Sequence, residues 1–142
     1  MAFFEWLLEI NMQAAIASLI ASGLSGFIVY NINQKNIKKT DLSNLIQEIE
    51  DIAIDYWCSD GRKKENKERS LKIKKKLQTL SWRVNQNKPE IKAALKEYRQ
   101  SITSGSFESP NRKPSPHEDP RICQIYDKAR ILRKKCKIKR HH

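Results

Sequence analysis

Few side chains in this sequence have the types and spacing that catalysis or metal binding requires. His117, Glu118 and Asp119 are adjacent, and such a triplet could hold a metal ion or exchange protons with a substrate. The triplet lies in a proline-rich stretch, however, where we expect it to be solvated. The other two histidines, His141 and His142, end the sequence, and no histidine has a cysteine at the spacing of a zinc site.

The cysteines and glycines do not indicate redox or nucleotide chemistry either. Cys58, Cys123 and Cys136 are widely spaced, which predicts half-buried thiols on helices and no disulfide framework. The chain has only 4 glycines, and two of them lie in an apolar stretch, so no glycine-rich loop can cradle a phosphate. We therefore expect a protein that is not an enzyme and that needs no cofactor and no metal.

The most distinctive element is an uncharged segment near the N-terminus. No Lys or Arg occurs in residues 1–34, whereas all 28 fall between Lys35 and Arg140. Residues 10–34 carry no charge, and as a helix they would extend roughly 37 Å, enough to cross a bilayer once. This pattern predicts a membrane anchor over residues 1–34, with the span at about residues 10–32.

The charges that flank this segment predict its orientation. The residues ahead of it are acidic, Glu5 and Glu9, and those behind it are basic, Lys35, Lys38 and Lys39. A secretory signal peptide begins with a basic region and precedes an exported chain, whereas here the leading charges are acidic, so we expect no cleavage. Because Lys and Arg near a span stay in the cytoplasm, the N-terminus is expected outside and the C-terminus in the cytoplasm. The alternative is a hydrophobic core helix of a soluble protein.

One face of the predicted span is lined by small residues. On a helical wheel, the residues that predict a self-association surface are Ala14, Ser18, Ala21, Ser22 and Ser25. In lipid such a face lets two helix backbones approach closely, and the serine hydroxyls can hydrogen-bond across the contact. We therefore expect a homo-oligomer formed through the span. In a ring of chains the same face could also line a polar path, and the sequence leaves both arrangements open.

The rest of the chain predicts an all-α fold, in which the span is followed by a small cytosolic antiparallel helical bundle. Apolar residues recur every three or four positions. Residues 35–103 predict a helical hairpin plus a third helix. Residues 104–118 predict a Pro/Ser-rich loop, with Phe107 as its contact to the bundle. Residues 119–142 predict a C-terminal helix that ends in a basic tail.

Charge separates the two helices of the predicted hairpin. The first is expected to begin at a cap on Thr40 or Asp41 and to carry an acidic outer face, made of Glu48, Glu50, Asp51 and Asp55. The second is basic. The whole part after residue 34 holds 28 basic and 14 acidic residues, which favours anionic lipid headgroups or nucleic acid as partners. The lysines predicted to contact lipid or phosphate are Lys35, Lys38, Lys39, Lys72, Lys74, Lys75 and Lys76.

Three short motifs and their order suggest a resemblance. They are EIEDIAIDYW at residues 48–57, SGSFES at residues 104–109 and DPR at residues 119–121, and they come after a single N-terminal span. This layout resembles small membrane proteins of bacterial prophages and genomic islands, among them the transmembrane effectors of retron defence systems. The resemblance implies a bacterial inner-membrane protein that defends against phage by compromising the membrane of the infected cell, and it implies no catalytic residues.

Two functions therefore remain open at the level of sequence. The first is a non-enzymatic inner-membrane effector whose spans assemble and compromise membrane integrity, held quiet by its own bundle or by a regulatory protein or nucleoprotein partner. The second is a membrane-tethered adaptor whose basic bundle binds a protein or a nucleic acid.

Overall fold

The computed structural model describes the backbone of residues 2–61 and 64–138 and the side chains of residues 12, 14–61 and 64–138. This part of the chain is helical and contains no strand, which confirms the predicted all-α class and its long apolar N-terminal helix. The helices are α1 Ala2–Cys58, α2 Lys64–Arg83, α3 Pro89–Thr103 and α4 Pro120–Lys135.

Helix α1 is longer than the sequence suggested. A helix start at Thr40 or Asp41 was the expectation, and it is wrong, because both residues lie inside α1. Residues 27–60 contain neither Gly nor Pro, so no residue in that stretch interrupts the backbone hydrogen bonds of a helix. The chain forms two compact units, Met1–Lys38 and Lys39–His142.

The second unit has a hydrophobic core to which all four helices contribute. The stripes that were predicted from spacing supply it. The buried apolar residues are Leu45, Ile46, Ile49, Ala53, Ile54, Tyr56 and Trp57 from α1; Ile73, Leu77 and Leu80 from α2; Ile91, Ala94, Leu95, Tyr98 and Ile102 from α3; Ile122, Ile125, Ala129 and Leu132 from α4; and Val84 and Ile138 beyond the ends of α2 and α4. Burial of these side chains is the main source of stability for this unit.

Glu50 is the exception to the predicted acidic outer face of α1. Its exposed fraction is only 1%, and it pairs with Arg133 of α4, which is likewise almost fully buried. The prediction grouped Glu50 with Glu48, Asp51 and Asp55, and these other three are exposed in the structure. Burial also raises the pKa of the nearby Tyr98 phenol, and the charge of Glu50 raises it further.

Polar contacts link α2 to the C-terminal part of α1 and link α3 to α4. Lys76, late in α2, pairs with Glu48, whereas Arg69, early in α2, donates to the Ser59 hydroxyl just past the end of α1 at 3.0 Å. Between α3 and α4, Lys128 pairs with Glu97 at 2.8 Å. The exposed pairs among these add little stability individually.

The predicted helix boundaries near the proline-rich loop are confirmed. Pro89 and Pro120 lie in the first turns of α3 and α4, where a missing N–H costs nothing. The side chain of Asp119 caps α4 by accepting a hydrogen bond from the Arg121 N–H at 2.8 Å. Just beyond α3, Gly105 has φ +69°, the left-handed backbone that ends many helices.

Candidate functional site

The apolar part of α1 is the first candidate functional feature. It is long and apolar enough to cross a membrane, and among the described residues no other helix is. None of its apolar window is buried, and large side chains such as Phe27, Ile28 and Tyr30 are exposed. A core helix of a soluble domain would bury most of this surface. Such an extent of unburied apolar surface marks a membrane or interaction segment.

Two serines of the predicted self-association face, Ser22 and Ser25, hydrogen-bond to carbonyls of their own helix. Ser22 Oγ donates to the Leu19 carbonyl at 3.0 Å, and Ser25 Oγ donates to the Ala21 carbonyl at 2.7 Å. These two hydroxyl donors are therefore satisfied without water, which lowers the cost of placing them in lipid. Each hydroxyl oxygen can still accept a bond from a neighbouring helix. The hydroxyl groups thus suit either a dry helix contact or a polar path.

Gly23 and Gly26 of this segment face open space among the residues that the structure describes. A Cβ added at Gly23 or Gly26 would meet no atom within 4 Å, although glycine inside a helix costs about 1 kcal/mol relative to alanine. Gly26 lies about 40° around the helix from Ser22, so it extends the small face beyond the predicted residues.

The predicted lipid-contact lysines fall into two groups. Lys35, Lys38 and Lys39 are exposed, as are Lys72 and Lys75, and none of these five has an ion pair among the described residues. The remaining two are engaged by carboxylates of the second unit. Lys74 pairs with Glu108 at 2.6 Å, and Lys76 pairs with Glu48. Their charges are already compensated, so they are weaker candidates for lipid or phosphate.

Helix α2 exposes two large apolar side chains opposite its buried stripe. Trp82 is 75% exposed and Leu71 is 52% exposed. Together with Lys72, Lys75 and Gln78 they form a surface that we call the α2 outer face. The exposure of Leu71 was not predicted, because a single leucine among lysines carries no periodic signal.

Helix α3 carries a row of basic residues that have no ion pair among the described residues. Lys92, Lys96 and Arg99 are exposed and line a shallow groove of about 410 Å³. The acids of this helix lie elsewhere, because Glu97 and Glu90 pair with Lys128 and Lys135 of α4. The row is therefore a local positive surface that acids of its own helix do not neutralise. The sequence showed the basic residues but not this sorting.

The proline-rich loop closes over the C-terminal end of α1. Arg112 is only 4% exposed, and its guanidinium donates to the Trp57 carbonyl at 3.0 Å and to the Tyr56 carbonyl at 2.6 Å. The guanidinium carbon also lies 4.3 Å from the centre of the Tyr56 ring. Gly61 is required beside it, because a Cβ there would lie 2.9 Å from the Ser109 carbonyl oxygen. Arg112 thus satisfies carbonyls that the helix end leaves free.

The three motifs of the resemblance meet in this same region. Tyr56 and Trp57 come from the first motif, and Phe107 of the second packs against Tyr56 with the ring centres 4.9 Å apart. The prediction that Phe107 holds the loop to the bundle is confirmed. The guanidinium carbon of Arg121, from the third motif, lies 4.0 Å from the centre of the Trp57 ring. The same guanidinium donates to the Ser104 carbonyl at 2.7 Å. We call these residues with Arg112 the arginine–aromatic cluster, and the burial of its rings makes it a packing centre.

A cysteine and a histidine come together beside the cluster, although 59 residues separate them in sequence. Cys58 Sγ lies 3.8 Å from His117 Nδ1. The pKa of the Cys58 thiol is raised by burial, and the charges of Asp55 and Asp119 raise it further. Since the thiolate is the reactive form, this environment does not activate a nucleophile. Among the described residues, no group of three acidic, histidine or cysteine side chains is placed to hold a metal ion.

Comparisons with protein-family models, with curated proteins and with solved structures find no match to this chain.

Sequence reasoning missed three features of the second unit. They are the cap formed by Arg112, the buried pair of Glu50 and Arg133, and the exposure of Leu71. The first two have no local signal, because their partners lie 55 and 83 residues away along the chain.

Proposed function

We propose that this protein is a non-enzymatic, single-pass protein of the bacterial inner membrane that compromises membrane integrity when its spans assemble. A role as an antiphage effector is part of this proposal, and it rests on the resemblance of motif order. The observation that carries the membrane assignment is the apolar part of α1, which buries none of its surface within the chain. The segment is followed by three exposed lysines, Lys35, Lys38 and Lys39.

The physical support for assembly is the small face of the span. In lipid, helices gain little from hydrophobic association, so contacts depend on close packing of small residues and on polar groups. Ala14, Ser18, Ala21, Ser22 and Ser25 provide such a surface, and Gly26 broadens it. A face wider than one contact allows a helix to have more than one neighbour, which a ring requires.

The first experiment tests insertion and orientation. The full-length chain, carrying a C-terminal epitope, is expressed in bacterial cells, and membranes are separated from soluble proteins. We expect the intact chain in the inner-membrane fraction after carbonate extraction, with the epitope reached by protease only after the inner membrane is opened. A shortened chain in the soluble fraction would indicate a cleaved signal sequence and would refute the proposal.

The second experiment tests the effector mechanism. Replacing Ser18, Ser22 and Ser25 by leucine should abolish depolarisation and dye uptake, because the bulky side chains separate the helices. A matched control places leucines on the other side of the span, at Ile16 and Ile20, and should retain the activity. Dye uptake that is equal in both variants would rule out this face as the active surface.

A serine-to-alanine triple variant at the same positions separates a dry contact from a polar path. Alanine keeps the face small but removes the hydroxyl groups, so assembly measured by cross-linking should persist. If dye uptake also persists, close packing is the functional property. If uptake is lost while cross-linking remains, the hydroxyls line a path.

The second candidate function is a membrane-tethered adaptor for nucleic acid. The observation that favours it is the basic row on α3, where Lys92, Lys96 and Arg99 have no acidic partner among the described residues. The detergent-solubilised full chain should then retain labelled RNA or single-stranded DNA and release it above about 0.3 M salt. No retention at low salt would exclude this function.

A further inference from the structure

We infer that the α2 outer face is a peripheral membrane-binding surface, which places its Trp82 and Leu71 side chains among the headgroups of an anionic bilayer. The inference rests on the proposed anchoring for the location of the bilayer. It adds a second and separate lipid contact, made by the helical unit itself.

The two apolar residues occupy the part of α2 that is farthest from its core stripe. Leu71 and Trp82 are eleven positions apart, or about 16 Å along the helix, and both project from the side opposite Ile73 and Leu77. Lys75 lies between them on the same side. A tryptophan that is three-quarters exposed has most of its ring in water, whereas tryptophan is favoured at the membrane interface.

The charges around this face suit an anionic surface. Lys67, Lys72 and Lys75 are exposed and have no ion pair among the described residues. Two acidic residues, Glu65 and Glu68, lie on the same side. Glu68 is exposed, and the Glu65 carboxylate forms an ion pair with the Arg69 guanidinium at 3.9 Å. Positive charge therefore dominates. Each lysine held near an anionic membrane strengthens binding about fivefold at moderate salt.

The apolar residues decide between lipid and nucleic acid. A phosphate backbone would be met by basic side chains alone, as on α3, and although a nucleic-acid base can stack on an exposed tryptophan, nucleic acid offers nothing to an exposed leucine. An interfacial helix needs both a basic edge and apolar side chains that enter the headgroup region. The α2 outer face combines them, and the α3 row does not.

The test uses the full chain in nanodiscs, with every tryptophan replaced by 5-fluorotryptophan. The chain has three tryptophans, Trp6, Trp57 and Trp82, so three fluorine signals are expected, and a Trp82→Phe variant assigns one of them. A lipid with a nitroxide near its headgroup broadens nearby signals. Discs of neutral lipid are compared with discs that also contain anionic lipid.

We expect the Trp82 signal to broaden in anionic discs and to sharpen again at high salt, because the lysines are then screened. The buried Trp57 should stay sharp in all discs. Broadening of Trp6 reports the anchor, so its absence would count against the proposed membrane insertion and not against this surface. A Trp82 signal that is equally sharp in both kinds of disc would overturn the inference.

A pair of matched variants separates a specific face from general positive charge. Lys72→Glu with Lys75→Glu should remove the broadening of Trp82. Lys92→Glu with Lys96→Glu makes the same change of charge on α3 and should leave it unchanged. Equal loss in both double variants would mean that net charge alone acts, which contradicts the inference. Loss of the Trp82 signal on addition of RNA, without any effect of anionic lipid, would assign the face to nucleic acid instead.

Discussion

Replacing Arg112 by alanine should detach the proline-rich loop and destabilise the helical unit. The side chain makes two hydrogen bonds from a charged donor, to the carbonyls of Tyr56 and Trp57, and such bonds contribute about 1.5–3 kcal/mol each. Contact with the Tyr56 ring adds about 1 kcal/mol. Two effects reduce this sum. Arg112 Nε is buried with no hydrogen-bond partner among the described residues, which already costs free energy in the unaltered protein. The Trp57 carbonyl also keeps a hydrogen bond from the Ser115 N–H at 2.8 Å when Arg112 is removed. We expect a net loss of about 3 kcal/mol.

The assay is thermal unfolding of the full-length protein in detergent, followed by near-ultraviolet circular dichroism. For a unit of this size, each kcal/mol lowers the midpoint by about 4–8 °C, so the Arg112→Ala variant should melt at least about 12 °C earlier. The midpoint of Arg112→Lys should lie between those of Arg112→Ala and the unaltered chain, because lysine lacks the planar guanidinium that bonds both carbonyls at once. The exposed neighbour provides the control, and Lys113→Ala should melt like the unaltered chain.

Hydrogen exchange locates the effect of losing Arg112. Backbone amides of residues 104–118 should exchange faster in Arg112→Ala, because the loop loses its main attachment to α1. If Arg112→Ala melts and exchanges like Lys113→Ala, the capping argument is refuted.

Two further predictions concern the buried ion pair and the thiols. Glu50→Gln should destabilise the unit by about 3–5 kcal/mol because it leaves the buried Arg133 charge without the carboxylate that balances it, with only neutral acceptors such as Gln47, whereas replacing both residues by leucine should recover most of the loss in the same thermal assay; a double variant as unstable as the single one would contradict this. Burial raises the pKa of the Cys136 thiol, so less thiolate is present near pH 8, and iodoacetamide should modify the exposed Cys123 first, with the rate at Cys136 still rising above pH 9. Mass spectrometry of peptides measures both rates, and equal rates at pH 8 would refute this assignment.

Local patterns were sufficient to predict helices α2, α3 and α4 of the second unit. The spacing of apolar residues predicted the buried face of α3, for example Ile91, Leu95, Tyr98 and Ile102, because a helix repeats every 3.6 residues whatever it packs against. Pro89 marked a helix start for an equally local reason, since its ring fixes φ and it has no N–H to lose.

Long-range contacts account for the features that could not be predicted. In sequence Glu50 cannot be distinguished from its exposed acidic neighbours, and only its contact with Arg133, 83 residues away in the chain, accounts for its burial. Arg112 is likewise an ordinary loop residue in sequence, and its role comes from its hydrogen bonds to two carbonyls at the end of α1. Neither partner lies within a window over which sequence periodicity carries information. The predicted cap at Thr40 and Asp41 failed for the opposite reason, because a capping residue also fits inside a helix that nothing interrupts.

The candidate surfaces also combine features that follow from residue order with features that depend on contacts between helices. The uncharged segment, its small face and the basic character of the chain after residue 34 follow from residue order alone, because hydropathy and charge are properties of single residues. Which of the charges remain available depends on tertiary contacts. These contacts engage Lys74 and Lys76 with carboxylates and leave Lys72 and Lys75 open beside an exposed Trp82, because pairing depends on which helix faces meet.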